Sequence, residues 1–152
     1  MKLQPPVADG INAATSRRRA ILYGLAAAVS LIGLSDSIYL TVEHVSGRTV
    51  QCTIVQGCST VLSSPYASYR GVPLALVGAI AYFTFFSLAT LAAFEYKFAG
   101  KLLLPLVALM LLVTVWLFYL QAFVIEAFCQ FCLLSAGVTV VLSVIVFFAR
   151  RT

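Results

Sequence analysis

The sequence predicts an all-α membrane protein, a four-helix transmembrane bundle with an outer loop that carries a short interfacial helix. Three observations carry that expectation. The 152 residues are 62% hydrophobic and only 10% charged, whereas soluble domains are about half apolar and a quarter charged. Four apolar segments approach the roughly 20 residues that a helix rising about 1.5 Å per residue needs to cross a bilayer core. The basic residues gather at the ends of those segments, where they act as topology signals. The net charge of +5 therefore indicates membrane lipid as a partner and no nucleic acid. No glycine-rich phosphate loop, repeat or low-complexity tract is present.

The elements follow in order. Residues 1–18 are polar, with Pro5, Pro6 and Gly10, and read as a disordered cytoplasmic tail. Arg17–Arg19 precede an apolar run too long for a signal peptide and lacking a small-residue cleavage site. Residues 19–152 then form one unit with spans at about 20–42, 72–94, 101–125 and 131–149. Helix is required, because backbone polar groups in lipid must be satisfied within the segment. The loop from Glu43 to Gly71 is the one sizeable extramembrane region. A short helix is expected over Ser59–Ser64, with Ser59 as its cap and Pro65 as its end. Tyr66 and Tyr69 suit the interface. Gly71 and Pro73 open the second span. The short link between spans three and four makes them antiparallel neighbours.

With four spans, Lys2, Arg17–Arg19, Lys97, Lys101, Arg150 and Arg151 fall on one side, and only Arg48 and Arg70 on the other. The positive-inside rule puts both termini in the cytoplasm. All four cysteines then face outward, into a compartment that permits disulfides.

Those cysteines carry the chemistry. Cys52 and Cys58 lie in the loop run QCTIVQGC, and Cys129 and Cys132 form a C-x-x-C in FCQFC at the mouth of span four. Three apart on a helix, the second pair is within bridging reach. The unpaired N–H groups at a helix start favour a thiolate. Cys132 lies about one turn deeper, toward a substrate in the membrane; Cys129 faces a thiol arriving from the loop. Static structural disulfides and a zinc site are the alternatives; no metal is expected, because the pairs are far apart and one is at a membrane mouth. Four cysteines allow three pairings, and spacing does not choose among them.

The order C-x5-C, VLSSPYA, GVPLALVG opening a helix and FCQFC at a late helix resembles the vitamin K epoxide reductase family, in its bacterial form without a fused thioredoxin-like domain. The resemblance covers roughly residues 31–142. It implies a quinone-dependent thiol oxidoreductase that supports disulfide formation outside the cytoplasm, in a bacterial inner membrane. Electrons would pass from a separate thioredoxin-like or DsbA-like protein to Cys52 and Cys58, then to Cys129 and Cys132, then to a quinone of the ubiquinone, menaquinone or phylloquinone type. It also implies that a serine after the loop cysteines matters, where Ser63 and Ser64 stand. Animal enzymes of the family carry a tyrosine where Ala136 stands and an asparagine in the region of Pro73 and Leu74. These departures favour quinone reduction over epoxide reduction. Epoxide reductase and non-catalytic scaffold remain the alternative functions.

Asp36 lies about 24 Å along span one, and an intramembrane carboxylate defaults to a functional role. Asp36, Tyr39 and Glu43 share a helix face at i, i+3, i+7 spacing and suggest a proton route. Phe128 and Phe131, with Tyr82, Tyr119 and Phe123, are candidates to line a quinone ring. Glu126 is placed to tune the C-x-x-C, and His44 reads as a surface residue.

Overall fold

The computed structural model describes residues 6–48, 52 and 57–152. The first helix, α1 (Pro6–Val45), is 40 residues long, about 60 Å at the α-helical rise. That is about twice the thickness of a bilayer core, so part of it lies outside the hydrocarbon. The disordered tail expected over residues 1–18 is corrected here: from Pro6 onward the chain is helical. Proline at a first helical position loses only an N–H that has no partner anyway, so Pro6 starts the helix rather than preventing it. Met1–Pro5 lie outside the described residues. At its other end α1 stops where Gly47 takes φ +68°, and Ser46 N–H bonds to Val42 O at 2.9 Å, a glycine-terminated helix end.

After the disulfide loop comes α2 (Cys58–Leu62). It starts one residue before the expected cap, so Ser59 lies inside it, and it ends before Pro65. A hairpin not expected from the sequence follows: β1 (Ser68–Tyr69) pairs antiparallel with β2 (Val72–Pro73), Tyr69 opposite Val72. Arg70 and Gly71 between them both have positive φ, 52° and 82°, the geometry of the two-residue hairpin turn that matches strand twist. The remaining spans are α3 (Leu74–Ala93), α4 (Lys97–Tyr119) and α5 (Gln130–Arg151). α4 runs on into a π-helical turn, Leu120–Val124, where Ile125 N–H bonds to Leu120 O at 2.7 Å.

Among the described residues four helices are long and apolar enough to cross a membrane. α1 and α4 each pack on α3 and α5. Ala26, Phe85, Ala89, Leu103, Leu142, Val146 and Ala149 are completely buried between them; the alanines let the helices approach closely. Gly33 serves the same end, because a Cβ there would overlap the Tyr82 ring. Large apolar side chains such as Ile80, Phe83, Leu112 and Val115 point outward. Exposed in water, that surface would be an aggregation liability; against lipid tails it costs nothing. The protein is a multi-pass membrane protein.

Candidate functional site

One end of the bundle is built from sulfur. Cys52 and Cys58 are joined in a disulfide with a Cα–Cα distance of 5.7 Å, within the usual range for such bonds. Cys58 opens α2 and is almost fully buried. Cys129 is the residue capping the start of α5, in extended conformation, and Cys132 lies in its first turn. Both are free thiols. Leu40, Cys58, Val61 and Cys129 form one buried cluster, with Cys52 and Cys132 packed at its edge. The topology thus gathers cysteines some 70 residues apart in sequence into one locus.

Two contacts hold the pairs against each other. Gly57 lies directly on the Phe128 backbone, where a Cβ would overlap the Phe128 carbonyl oxygen. Cys129 N–H donates to Gln121 Oε1 at 3.0 Å. Gln121 is buried in the π-turn, so that irregular turn supplies the acceptor for the segment leading into the C-x-x-C. Ala127 N–H also returns to Gln121 O at 3.2 Å. The Cys132 thiol donates to the Cys129 sulfur, and this hydrogen bond holds the Cys129 thiol below its ordinary range, at about 7. Burial acts against it, and the backbone N–H groups of Cys132 and Phe131 add to it.

Beside this cluster a cleft with about 130 Å³ of internal space opens between α1, α2, α3, the π-turn and α5. Its walls are mainly apolar, including Leu40, Leu62, Leu74, Leu117 and Ile125. A few polar groups converge on it: Asp36, Ser64, Gln121, Cys132 and Ser135. Asp36 is 8% exposed, and neither carboxyl oxygen has a hydrogen-bond partner among the described residues. An ionised carboxylate at the centre of a spanning helix costs about 3 kcal/mol, and buried polar groups ordinarily find partners. An apolar pocket with a few placed polar groups is the usual form of a small-molecule site.

Asp36 and Ser64 line the cleft; Ser64 Oγ also donates to Val61 O at 2.6 Å. Ser63 is exposed and its Oγ reaches Thr60 O at 3.4 Å. Phe131 packs against Tyr39 at 5.4 Å between ring centroids, and Phe128 against Phe118 at 6.0 Å; both stand beside the cysteine cluster rather than in the cleft wall. Tyr119 stacks between Trp116 and Phe123 on the outer surface. Tyr82 is buried, its hydroxyl within 2.7 Å of Ser135 Oγ and 3.0 Å of Thr139 Oγ1. The face of α1 that meets the cleft is Asp36, Leu40 and His44, at i, i+4, i+8 spacing. It is rotated from the expected Asp36, Tyr39 and Glu43; Tyr39 turns to Phe131, and Glu43 pairs with Arg48 at 3.9 Å. Glu126 is exposed with φ +57°. Gln121 and Ser135 were not anticipated. Gln121 carried a readable signal, a lone amide in an otherwise apolar span; Ser135 carried none beyond its position one turn after Cys132.

Residues 25–147 match the family model described as the vitamin K epoxide reductase family. The chain belongs to that family. It is a family of membrane oxidoreductases, and the matched stretch contains all four cysteines and every residue lining the cleft beside them.

Proposed function

We propose that the protein is a quinone-dependent thiol oxidoreductase that supports disulfide formation outside the cytoplasm. One observation carries this reading: Cys132 and the unpartnered Asp36 line the same apolar cleft, against which all four cysteines cluster. The residues fit a quinone. Apolar walls suit its ring, and a quinone oxygen accepts the hydrogen bond that the acid form of Asp36 has to give. A quinone bound there supplies a two-electron acceptor.

The chain's own residues do the rest. A partner dithiol, of thioredoxin-like or DsbA-like character, attacks the Cys52–Cys58 disulfide through a mixed disulfide; the partner is oxidised and the loop pair reduced. The loop dithiol then reduces a Cys129–Cys132 disulfide in the same manner, and closes again. Cys129 and Cys132 are left as free thiols with the loop pair bonded, the arrangement seen here. Bond formation between Cys129 and Cys132 releases two electrons and two protons, which balances reduction of the acceptor to its hydroquinone. Cys132 holds its sulfur on the cleft, the Cys129 thiolate closes on it, and Asp36 holds a proton at the acceptor oxygen. The eight-to-two split of basic residues supports termini in the cytoplasm and cysteines on the outer side of a bacterial inner membrane.

Pro73 and Leu74 line the cleft where animal enzymes of the family carry an amide, which supports quinone over epoxide as the substrate. The test uses purified protein in detergent, a reduced thioredoxin-like substrate and quinone absorbance followed over time. Cys132→Ala is expected to abolish quinone reduction while the loop pair still exchanges with the substrate. Full quinone turnover by that variant contradicts the order of the relay, and activity on epoxide alone overturns the substrate.

A further inference from the structure

At the other end of the bundle a second cavity opens, with a volume of about 450 Å³. Four cations from three helices surround it: Arg19 on α1, Lys97 and Lys101 on α4, and Arg150 on α5. Glu95 is the one carboxylate in its wall. Among the described residues none of the four cations pairs with an Asp or Glu side chain; the single such pair is Arg48 with Glu43. Arg19 is fixed at the rim by donating to Thr152 O at 3.1 Å.

Tyr23 forms part of the wall. Its side chain is 4% exposed, its hydroxyl makes no hydrogen bond among the described residues, and Arg19 and Arg150 lie near enough to act on it electrostatically. Gly100 lies beside it, where a Cβ would stand in ordinary contact with the Tyr23 oxygen at 3.6 Å. Topology signals alone call for cations near a helix end, not for a cavity with a buried donor in its wall. Arg19, Tyr23, Ala149 and Arg150 also lie outside the residues matched to the family.

We infer that this cavity binds the phosphate of an anionic phospholipid. The shared chemistry is a phosphate dianion or diester oxygen set, met by two guanidinium forks, two ammonium groups and a phenol O–H. The cavity opens at the end of the spans, where headgroups lie, and basic pockets between spanning helices are suited to anionic headgroups. A lipid also brings acyl chains that pack along the exposed apolar faces of α4 and α5.

The test is native mass spectrometry with thermal unfolding of the full chain in zwitterionic detergent. Phosphatidylglycerol, phosphatidylcholine and soluble inorganic phosphate are each added. The expected result is one retained phosphatidylglycerol per protein and a raised melting temperature, with no such effect from the other two. Lys97→Gln/Lys101→Gln is expected to weaken that binding about 30-fold, and Tyr23→Phe to weaken it severalfold without altering the fold. Arg17→Gln/Arg18→Gln removes the same charge outside the cavity and is expected to leave binding within about twofold. Equal losses in the two double variants, or equal binding of phosphatidylcholine, overturn the inference. Stabilisation by inorganic phosphate matching that by lipid overturns the lipid as occupant.

Discussion

At the residue scale, few groups carry the chemistry, and the placement of each decides what it does. Cys129 is the more acidic thiol because Cys132 donates to it. The Cys129 thiolate fraction therefore rises with pH through about 7. Closure of the Cys129–Cys132 bond is expected to accelerate about tenfold from pH 6 to 8 and then level off. Cys132→Ala removes the donor and is expected to move the thiolate absorbance midpoint of Cys129 upward by a unit or more. An unchanged midpoint would remove the hydrogen bond as the cause. Asp36→Asn keeps the shape and a hydrogen-bond donor but carries no transferable proton. Its kcat for quinone is expected to fall roughly 100-fold with KM nearly unchanged; a KM effect alone would make Asp36 a binding group only. The four cysteines and Asp36 were legible in the sequence because sulfur and charge are rare in apolar spans. The register of Asp36 with Leu40 and His44, rather than Tyr39 and Glu43, was not. Helical spacing shows which residues share a face, but not which neighbour that face meets.

At the element scale, the helices were readable and the irregular pieces were not. Apolar runs of span length admit only helix in lipid, so all four appear close to where composition puts them. The helical start at Pro6 was missed because Pro5, Pro6 and Gly10 read as breakers. Proline in a first turn breaks nothing. The Arg70–Gly71 turn and the Leu120–Val124 π-turn left little trace, since each depends on tertiary partners. Yet those pieces build the site. The π-turn aims Gln121 at Cys129, and Gln121→Leu leaves the Cys129 N–H buried without an acceptor. That change is expected to cost about 1–3 kcal/mol, read as a lowered melting temperature in detergent together with slower thiol–disulfide transfer. Gly57→Ala drives a methyl into the Phe128 carbonyl and separates the loop pair from the C-x-x-C. Exchange between the pairs is expected to slow at least tenfold while the loop disulfide itself still forms, checked by trapping each pair with a thiol reagent after rapid mixing. Normal exchange in this variant would show that the loop does not dock through Gly57.

At the scale of the whole molecule, the bundle separates two chemistries to its two ends. Sulfur and the apolar cleft occupy one end, and a cluster of cations with no Asp or Glu partner among the described residues the other. Composition announced the membrane, and the cysteine order announced the family, but the convergence of both pairs on one cleft required the fold. Only packing of α1 on α3 and α5 brings Asp36 to the cleft that Cys132 lines. With the cysteines outside, a membrane-impermeant maleimide is expected to label reduced Cys52 in intact cells, and labelling only after lysis would reverse the orientation. The most direct measurement is a single turnover: fully reduced protein mixed with a short-chain quinone in the absence of any other thiol. The account predicts that about one quinone is reduced promptly per protein, in step with loss of the Cys129 and Cys132 thiols and blocked by Cys132→Ala. Quinone left oxidised while those two thiols persist would contradict it.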